Sequence, residues 1–584
     1  MRRRDFLKGI LPMALAPVAL NGLPVRVMGR SLMTSSFTCD DINDRILVLI
    51  QLHGGNDGLN TLVPINQYDT YKGLRPLIGI KDTGPRQYIQ LDSTLPLDDQ
   101  VGLHPDLLGM KSLYDSGYMH IVQDVSYPHN NGSHFRGTDI WLSGKDGDTM
   151  PDRPESGWWG RYLDHRFPGY PDLYPNPAMP DPPGLEFGSH IISLGFHRQT
   201  GIPMGLTLSN DPSDFNSLLA GVGGALPEDF PNSDYGQELA YLVEMERSTN
   251  LYAQRLTDLF NAGTNDPSVV YPTVYHTPTQ HNFRNGLAPQ LRTVARLISG
   301  GSRTKVFLVR MTGFDTHAGQ ALAGKPSYGA HGSLLYHLSE AVKAFLDDLT
   351  AQGLADRVLL TTFSEFGRQV GENSTLGTDH GTSAPMFLFG KGVKPGLSGT
   401  NPNLSNLHNN NFTSFQHDYR QVFTTLLQDW FGANNGSLDH AEFYQFSNQK
   451  LDLIDSQHVE ANGTVLNYVA DTSCDSTPDL PALPATSIRS EQIELAKLEM
   501  YPNPSPDQVH LSLDWPRLQP AELRLYSPDG KLVQRHEWRL FAGANQLNLS
   551  LADLPAGTYM VQILTGAGSR FGRQVAAHGR LVKS

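Results

Sequence analysis

Lys305-Val306-Phe307-Leu308-Val309, a helical stretch over 331–349, and Val358-Leu359-Leu360-Thr361-Thr362-Phe363 together decide the fold. The two outer runs are short and apolar, the mark of strands buried on both faces. Between them Leu334, Leu335, Leu338, Val342, Phe345, Leu346 and Leu349 recur at helical spacing, and Gly353 ends the helix. Such a β-α-β unit is right-handed, with parallel strands. The loops after two parallel strands share one edge of the sheet, where ligands bind in open α/β sheets. Here those loops are Gly313-Phe314-Asp315-Thr316-His317 and Ser364-Glu365-Phe366-Gly367.

The same arrangement recurs on either side of this unit. His53-Gly54-Gly55-Asn56-Asp57-Gly58 follows an apolar run at 46–52, and His129-Asn130-Asn131-Gly132-Ser133-His134 follows one at 119–125. Thr378-Asp379-His380-Gly381 comes just after the Glu365 loop, ahead of a strand-like run at 386–389. Carboxylates and imidazoles are the oxygen and nitrogen ligands a divalent cation takes, zinc among them. Asp57, Asp315, His317, Glu365, Asp379 and His380 are therefore the candidate metal ligands, with zinc or calcium as the cation. Ser133 and His134 are the candidate catalytic pair. A serine at a helix start has its oxygen near free N–H groups, where an oxyanion is stabilised. Structural alternatives stand beside these roles. Asp57 also suits a turn, Asp315 and His317 a loop-capping pair, Ser133 an N-cap, and Glu365 an ion pair with Arg368. His134 also suits a ligand, and His331 and His337 suit a buried helix face.

The 584 residues are too many for one simple core. The formal net charge of -14 is spread along the chain without a Lys/Arg run, which argues against a nucleic-acid partner. Cys39 and Cys474 cannot form a C-x-x-C zinc site, and they leave open one long-range disulfide or two free thiols. Arg2-Arg3-Arg4-Asp5-Phe6-Leu7-Lys8 precedes an apolar run at 9–20 that is too short to span a bilayer, so 1–30 reads as a signal peptide. Residues 40–455 alternate strand and helix patterns. Within them, 150–280 is Pro-, Gly-, Asp- and Tyr-rich and is expected to be an insertion or cap, with a helix over 238–260. Residues 456–495 read as a linker. Residues 496–584 show period-two runs such as Glu522-Leu523-Arg524-Leu525-Tyr526, with a Ser527-Pro528-Asp529-Gly530 turn, and read as a β-sandwich. No other segment is long and apolar enough for a transmembrane helix.

Three resemblances follow from these residues. Arg3-Arg4-x-Phe6-Leu7-Lys8 resembles a bacterial twin-arginine export signal. Tyr501-Pro502-Asn503-Pro504, Tyr526-Ser527-Pro528-Asp529-Gly530 and Leu554-Pro555-Ala556-Gly557-Thr558-Tyr559 resemble the C-terminal sorting domain of type IX secretion. That implies an outer-membrane secretion machinery as partner and a secreted or surface-attached protein of a Gram-negative bacterium. From residue 47 to about 432 the chain resembles an exported bacterial family of unknown function placed in the alkaline phosphatase/sulfatase superfamily. The carrying motifs include His53-Gly54-Gly55-Asn56-Asp57-Gly58, Gly102-Leu103-His104-Pro105, Ser133-His134-Phe135, Phe314-Asp315-Thr316-His317, Phe363-Ser364-Glu365-Phe366-Gly367-Arg368 and Gly377-Thr378-Asp379-His380-Gly381.

This last resemblance implies an alkaline-phosphatase-like central sheet flanked by helices. It places Asp57 as a ligand after the first strand, Ser133 as nucleophile, Asp315 with His317 (or His331) at one metal, and His380 as a late ligand. Phe366 stands where the superfamily has a histidine, which leaves a second metal site short of a ligand. The expected activity is metal-dependent hydrolysis of a phosphate- or sulfate-ester-like substrate, small or polysaccharide-borne. The rival expectations are a non-catalytic surface binding protein on the same scaffold and a carbohydrate-active surface protein.

Overall fold

The computed structural model describes residues 18–20, 23–25, 43–152, 154–171, 173–188, 192–208, 252–275, 285–462, 498–515, 519–527, 532–541, 543–552, 554–565 and 574–583. Its contacts separate a compact unit within 27–485 from a second within 486–584.

The first unit is built on a nine-stranded sheet. Its strands are β1 (Ile46–His53), β2 (Met119–Ser126), β3 (Gly184–Phe187), β4 (Gly205–Leu208), β5 (Val306–Thr312), β6 (Val358–Phe363), β7 (Ala384–Phe389), β8 (Gly396–Ser398) and β9 (His417–Asp418). The order is β8-β2-β7-β6-β1-β5-β3-β4, with β9 also on β2. Every pairing is parallel except those of β7, which runs against β6 and β2. The helices used below are α1 (Leu108–Asp115), α2 (His134–Ser143), α3 (Trp158–Arg166), α4 (Leu287–Ser299), α5 (Ala330–Ala351) and α6 (Tyr419–Thr425).

Strand β1 shows why both faces need helices. Ile46, Val48, Ile50 and Leu52 enter one core with the apolar residues of α1, α4 and α5. Leu47 and Leu49 enter the other with those of α2, α3 and α6. Side chains alternate across a strand, so a continuous apolar run feeds both layers. The expected β-α-β unit is present as β5-α5-β6. The two strands are parallel but not adjacent, because β1 lies between them and pairs with each. The carboxyl ends of β1, β2, β5 and β6 and the amino end of β7 therefore share one edge.

The segment 150–280, expected as an insertion or cap, is described only in part. Its described residues supply β3 and β4, which extend the sheet beyond β5, and α3, whose Trp158 and Trp159 are buried. Short strands in a Pro-rich setting carry too little periodicity to be read beforehand. Residues 252–262 are helical, and the rest of the helix expected over 238–260 lies outside the described residues. Ser456–Asn462 is a helix, and most of the expected linker, the signal segment at 1–17, Cys39 and Cys474 also lie outside them. Among the described residues no helix is long and apolar enough to cross a membrane.

The second unit is β-rich. Glu499–Tyr501, Gln508–Trp515 and Gly543–Ser550 form one antiparallel sheet. Leu532–Leu540, Gln519–Tyr526, Gly557–Thr565 and Gln574–Lys583 form the other. Alternate residues of both, such as Val509, Leu511, Leu513, Leu523, Leu525, Val561 and Ile563, share one core, which makes the unit a small β-sandwich.

Candidate metal centre

The strand-end loops bring three imidazoles onto one carboxylate. Asp315, from the loop after β5, lies 3.1 Å from His317 Nε2 and 3.2 Å from His380 Nε2 through its Oδ1. Its Oδ2 lies 3.3 Å from Nε2 of His134, the first residue of α2. His317 Nε2 and His380 Nε2 are 2.8 Å apart. The close approach of the loops requires glycine at 54, where φ is +124° and a Cβ would fall 2.2 Å from Asp315 N.

The other ring nitrogen of each histidine is already committed. His134 Nδ1 faces Glu365 Oε1 at 2.8 Å, His317 Nδ1 faces Asp379 Oδ1 at 2.8 Å, and His380 Nδ1 faces the Gly132 carbonyl at 2.7 Å. Carboxylate and carbonyl oxygens only accept, so each Nδ1 carries the proton. A neutral ring held this way presents the lone pair of Nε2, and all three lone pairs meet at Asp315. His134 Nε2 is buried and has no hydrogen-bond partner. Ligand atoms of His134, Asp315 and His380 all lie within 4.8 Å of one another, a set that could hold a divalent ion, and His317 borders it. The donor set fits a divalent cation.

Electrostatics sharpen the site. Burial would raise the Asp315 pKa, but His134, His380 and Arg368 outweigh it and hold the carboxyl well below the usual range. Burial disfavours charge on His134, yet Asp315 and Glu365 push its pKa up to about 9. A cation at Nε2 would compete with that proton. His317 and Asn373 hold Asp379 below its ordinary value. Arg368 Nη2 donates to Asp315 Oδ1 at 2.6 Å, and the guanidinium also donates to the carbonyls of Gly54, Gly55, Phe314 and Thr378. Phe366 is buried and packs on His134 and His380, with ring centroids 4.9 and 4.7 Å away.

The expected site residues divide into three groups. Asp315, His317 and His380, the expected metal ligands among the loops, lie together, and His134, expected as a catalytic residue beside Ser133, lies with them. Glu365 and Asp379 turn their carboxylates to the outer nitrogens of His134 and His317. Glu365 does not pair with Arg368; it accepts from His134 and from the Gly54 amide at 2.8 Å. Asp57, also expected as a ligand, lies apart from this cluster. Only 1% exposed, it accepts from Arg75 Nη1 at 2.6 Å and from Gln320 Nε2. Its Oδ1 has no hydrogen-bond partner, but the guanidinium already neutralises the group. Ser133 precedes α2, is exposed, and its side chain makes no cap hydrogen bond. His331 is buried and faces Asn56 Oδ1 at 3.1 Å rather than Asp315. Sequence reading missed Arg75, Gln320 and the Gly132 carbonyl. No local motif marks them, because each acts through a partner distant in the chain.

An α/β unit with histidines and a carboxylate gathered at its strand ends, followed by a β-sandwich, describes the class. Residues 287–441 match a family described as a protein of unknown function, DUF1501, and residues 499–575 match the secretion system C-terminal sorting domain. The chain thus carries a DUF1501 segment and a type IX sorting domain, which marks a secreted or cell-surface protein. The DUF1501 match includes Asp315, His317, Glu365, Asp379 and His380; His134 lies before it. No curated protein matches the chain.

Among solved structures, latent PorU from Porphyromonas gingivalis is 14% identical, covering 15% of this chain and 9% of its own, with TM-score 0.14. A protein in the alkaline phosphatase superfamily from Vibrio parahaemolyticus is 8% identical, covering 92% of this chain and 84% of its own, with TM-score 0.28. TAB5 alkaline phosphatase is 10% identical, covering 62% and 95%, with TM-score 0.25. The chain spans only a small part of the length of the first of these.

Proposed function

We propose that the chain is an exported, metal-dependent hydrolase of phosphate- or sulfate-type esters. One divalent cation would be held by His134, Asp315, His317 and His380. The convergence of three Nε2 atoms, each fixed by an oxygen acceptor at Nδ1, carries this reading. Outer partners of this kind hold ligating histidines in orientation and raise their basicity. A cation there would act as a Lewis acid on the ester oxygen. Glu365, Asp379 and the Gly132 carbonyl orient the rings. Arg368 fixes Asp315, and Phe366 keeps His134 and His380 apart from bulk solvent on one side. Ser133, next to His134 and unused as a cap, offers its hydroxyl at the start of α2 to attack or hold the ester.

The ester class rests on the motif resemblance given above. Export through the inner membrane rests on the twin-arginine-like leader, and the sorting domain supports passage across the outer membrane. One observation favours a second reading, a binding protein without turnover. The cation bonded to the cluster among the described residues, Arg368, is spent on Asp315 and four carbonyls, so it is not free to hold an anionic substrate. Elemental analysis of the purified protein, with aryl phosphate and aryl sulfate turnover before and after chelation, decides. One bound divalent ion and chelator-sensitive turnover are expected. No bound metal would sink the proposal, and a metal with no turnover would favour the binding reading.

A further inference from the structure

We propose that Gln320, oriented by Asp57, is the positioning residue that sets the distance between the two loops of the metal centre; this rests on the metal reading above. Gln320 Nε2 donates to Asp57 Oδ2. Its Oε1 accepts from Thr316 Oγ1 at 3.0 Å and from Thr378 Oγ1 at 2.6 Å. Thr316 lies between Asp315 and His317, and Thr378 immediately precedes Asp379 and His380. One amide therefore ties together the residues flanking three of the four proposed ligands and one outer partner.

The orientation of that amide is forced. The Asp57 carboxylate accepts only, so the NH2 end of Gln320 must face it, and the oxygen must face the two hydroxyls. Asp57 is in turn fixed by Arg75, which is fully buried and also donates to Asn60 Oδ1, Gln369 O and Val370 O. Gln320, Thr316 and Thr378 are 1%, 3% and 0% exposed, so solvent does not replace a lost bond. The loops also touch through backbone, with Thr378 N donating to Thr316 O at 3.1 Å. Further bonds join the loops at Gly319 N to Thr375 O, at Ala321 N to Leu376 O and at Asn373 Nδ2 to His317 O. These lie to either side, whereas the amide holds the hydroxyls next to the ligands at once. The carboxylate expected from sequence to bind metal directly thus acts two hydrogen bonds behind the ligands.

The test is zinc affinity of the full-length protein, read by competition with a chromophoric chelator, alongside melting temperature. Gln320→Met keeps the side-chain length and removes the amide. Zinc affinity is expected to fall about 10–100-fold, the range for outer-shell partners. Thr378→Ser keeps the hydroxyl that donates to the Gln320 oxygen and is expected to keep wild-type affinity. Val422→Ala, a cavity in the opposite core, lowers the melting temperature and is expected to leave zinc affinity unchanged. If Gln320→Met does not fold, Thr378→Val, which removes one hydroxyl, is expected to show the same loss. Wild-type affinity in the variant that folds, or an equal loss in Val422→Ala, overturns the relay alone. Wild-type protein that takes up no zinc defeats the metal reading and the relay together.

Discussion

Asp57 and Asp315 look alike in the sequence and differ in the structure. Each lies in a glycine-containing loop just after a buried parallel strand, β1 for one and β5 for the other. Asp57 is 1% exposed and locked to Arg75, while the Asp315 side chain is 46% exposed and faces three imidazoles. Topology brings a carboxylate to the ligand-binding edge, but the groups that face it decide its role. A guanidinium lies 2.6 Å from each, Arg75 from Asp57 and Arg368 from Asp315. Only Asp315 also faces three imidazole Nε2 atoms, and the proposed ligand role rests on those.

The largest effect should come from breaking the frame. Arg75→Met leaves Asp57 buried without its countercharge, and loss of one partner of a buried pair costs about 3–5 kcal/mol. Denaturant unfolding should show that drop with or without zinc. Burial would raise the Asp57 pKa, but Arg75 outweighs it and keeps the group ionised. An Arg75→Met variant as stable as wild type would mean that the two carboxylates are not so different after all.

Asp315→Asn should invert the pattern. Asparagine keeps an oxygen for Arg368, so the loss of stability should be no more than about 2 kcal/mol. The variant should nevertheless come off a desalting column without its metal, as should His380→Ala. Equal metal content in wild type and Asp315→Asn would remove Asp315 from the ligand set. Between these extremes stand the outer carboxylates. Glu365→Gln and Asp379→Asn should each weaken zinc binding about 10–100-fold, with metal still bound at high concentration. A complete loss in either would make that residue a ligand, as the sequence first suggested.

The contrast also shows what the sequence made legible. The β5-α5-β6 unit was readable because its apolar spacing changes from strand to helix and back within sixty or so residues. The shared edge followed from handedness, and so did the meeting of Asp315 with the Glu365 loop. The sandwich was readable from its period-two runs. Insertion of β1 between β5 and β6 was not, because strand order depends on long-range pairing. The roles of His134 and Glu365 were not readable either. Which nitrogen of a ring faces which oxygen is set by partners over two hundred residues away. Gln320 carried no signal, since a lone amide in an Ala- and Gly-rich loop has none.

The last comparison separates frame from site by pH. His331 sits on the Asp57 side, and burial, partly opposed by the nearby Asp57 charge, lowers its pKa from 6.5 to about 4. The unfolded chain therefore binds a proton between those values that the folded chain refuses. Its contribution is present in full above pH 6.5 and is lost as pH falls toward 4, up to about 3 kcal/mol. Asp57 acts in the same direction at lower pH, because its depressed pKa also favours the folded state until the group protonates. His331→Gln keeps an N–H for Asn56 and should flatten the slope of unfolding free energy between pH 6.5 and 4, measured with chelator present. If the slope persists unchanged, His331 is not the group that titrates, and the acid sensitivity lies with another buried imidazole such as His104, whose pKa burial also lowers.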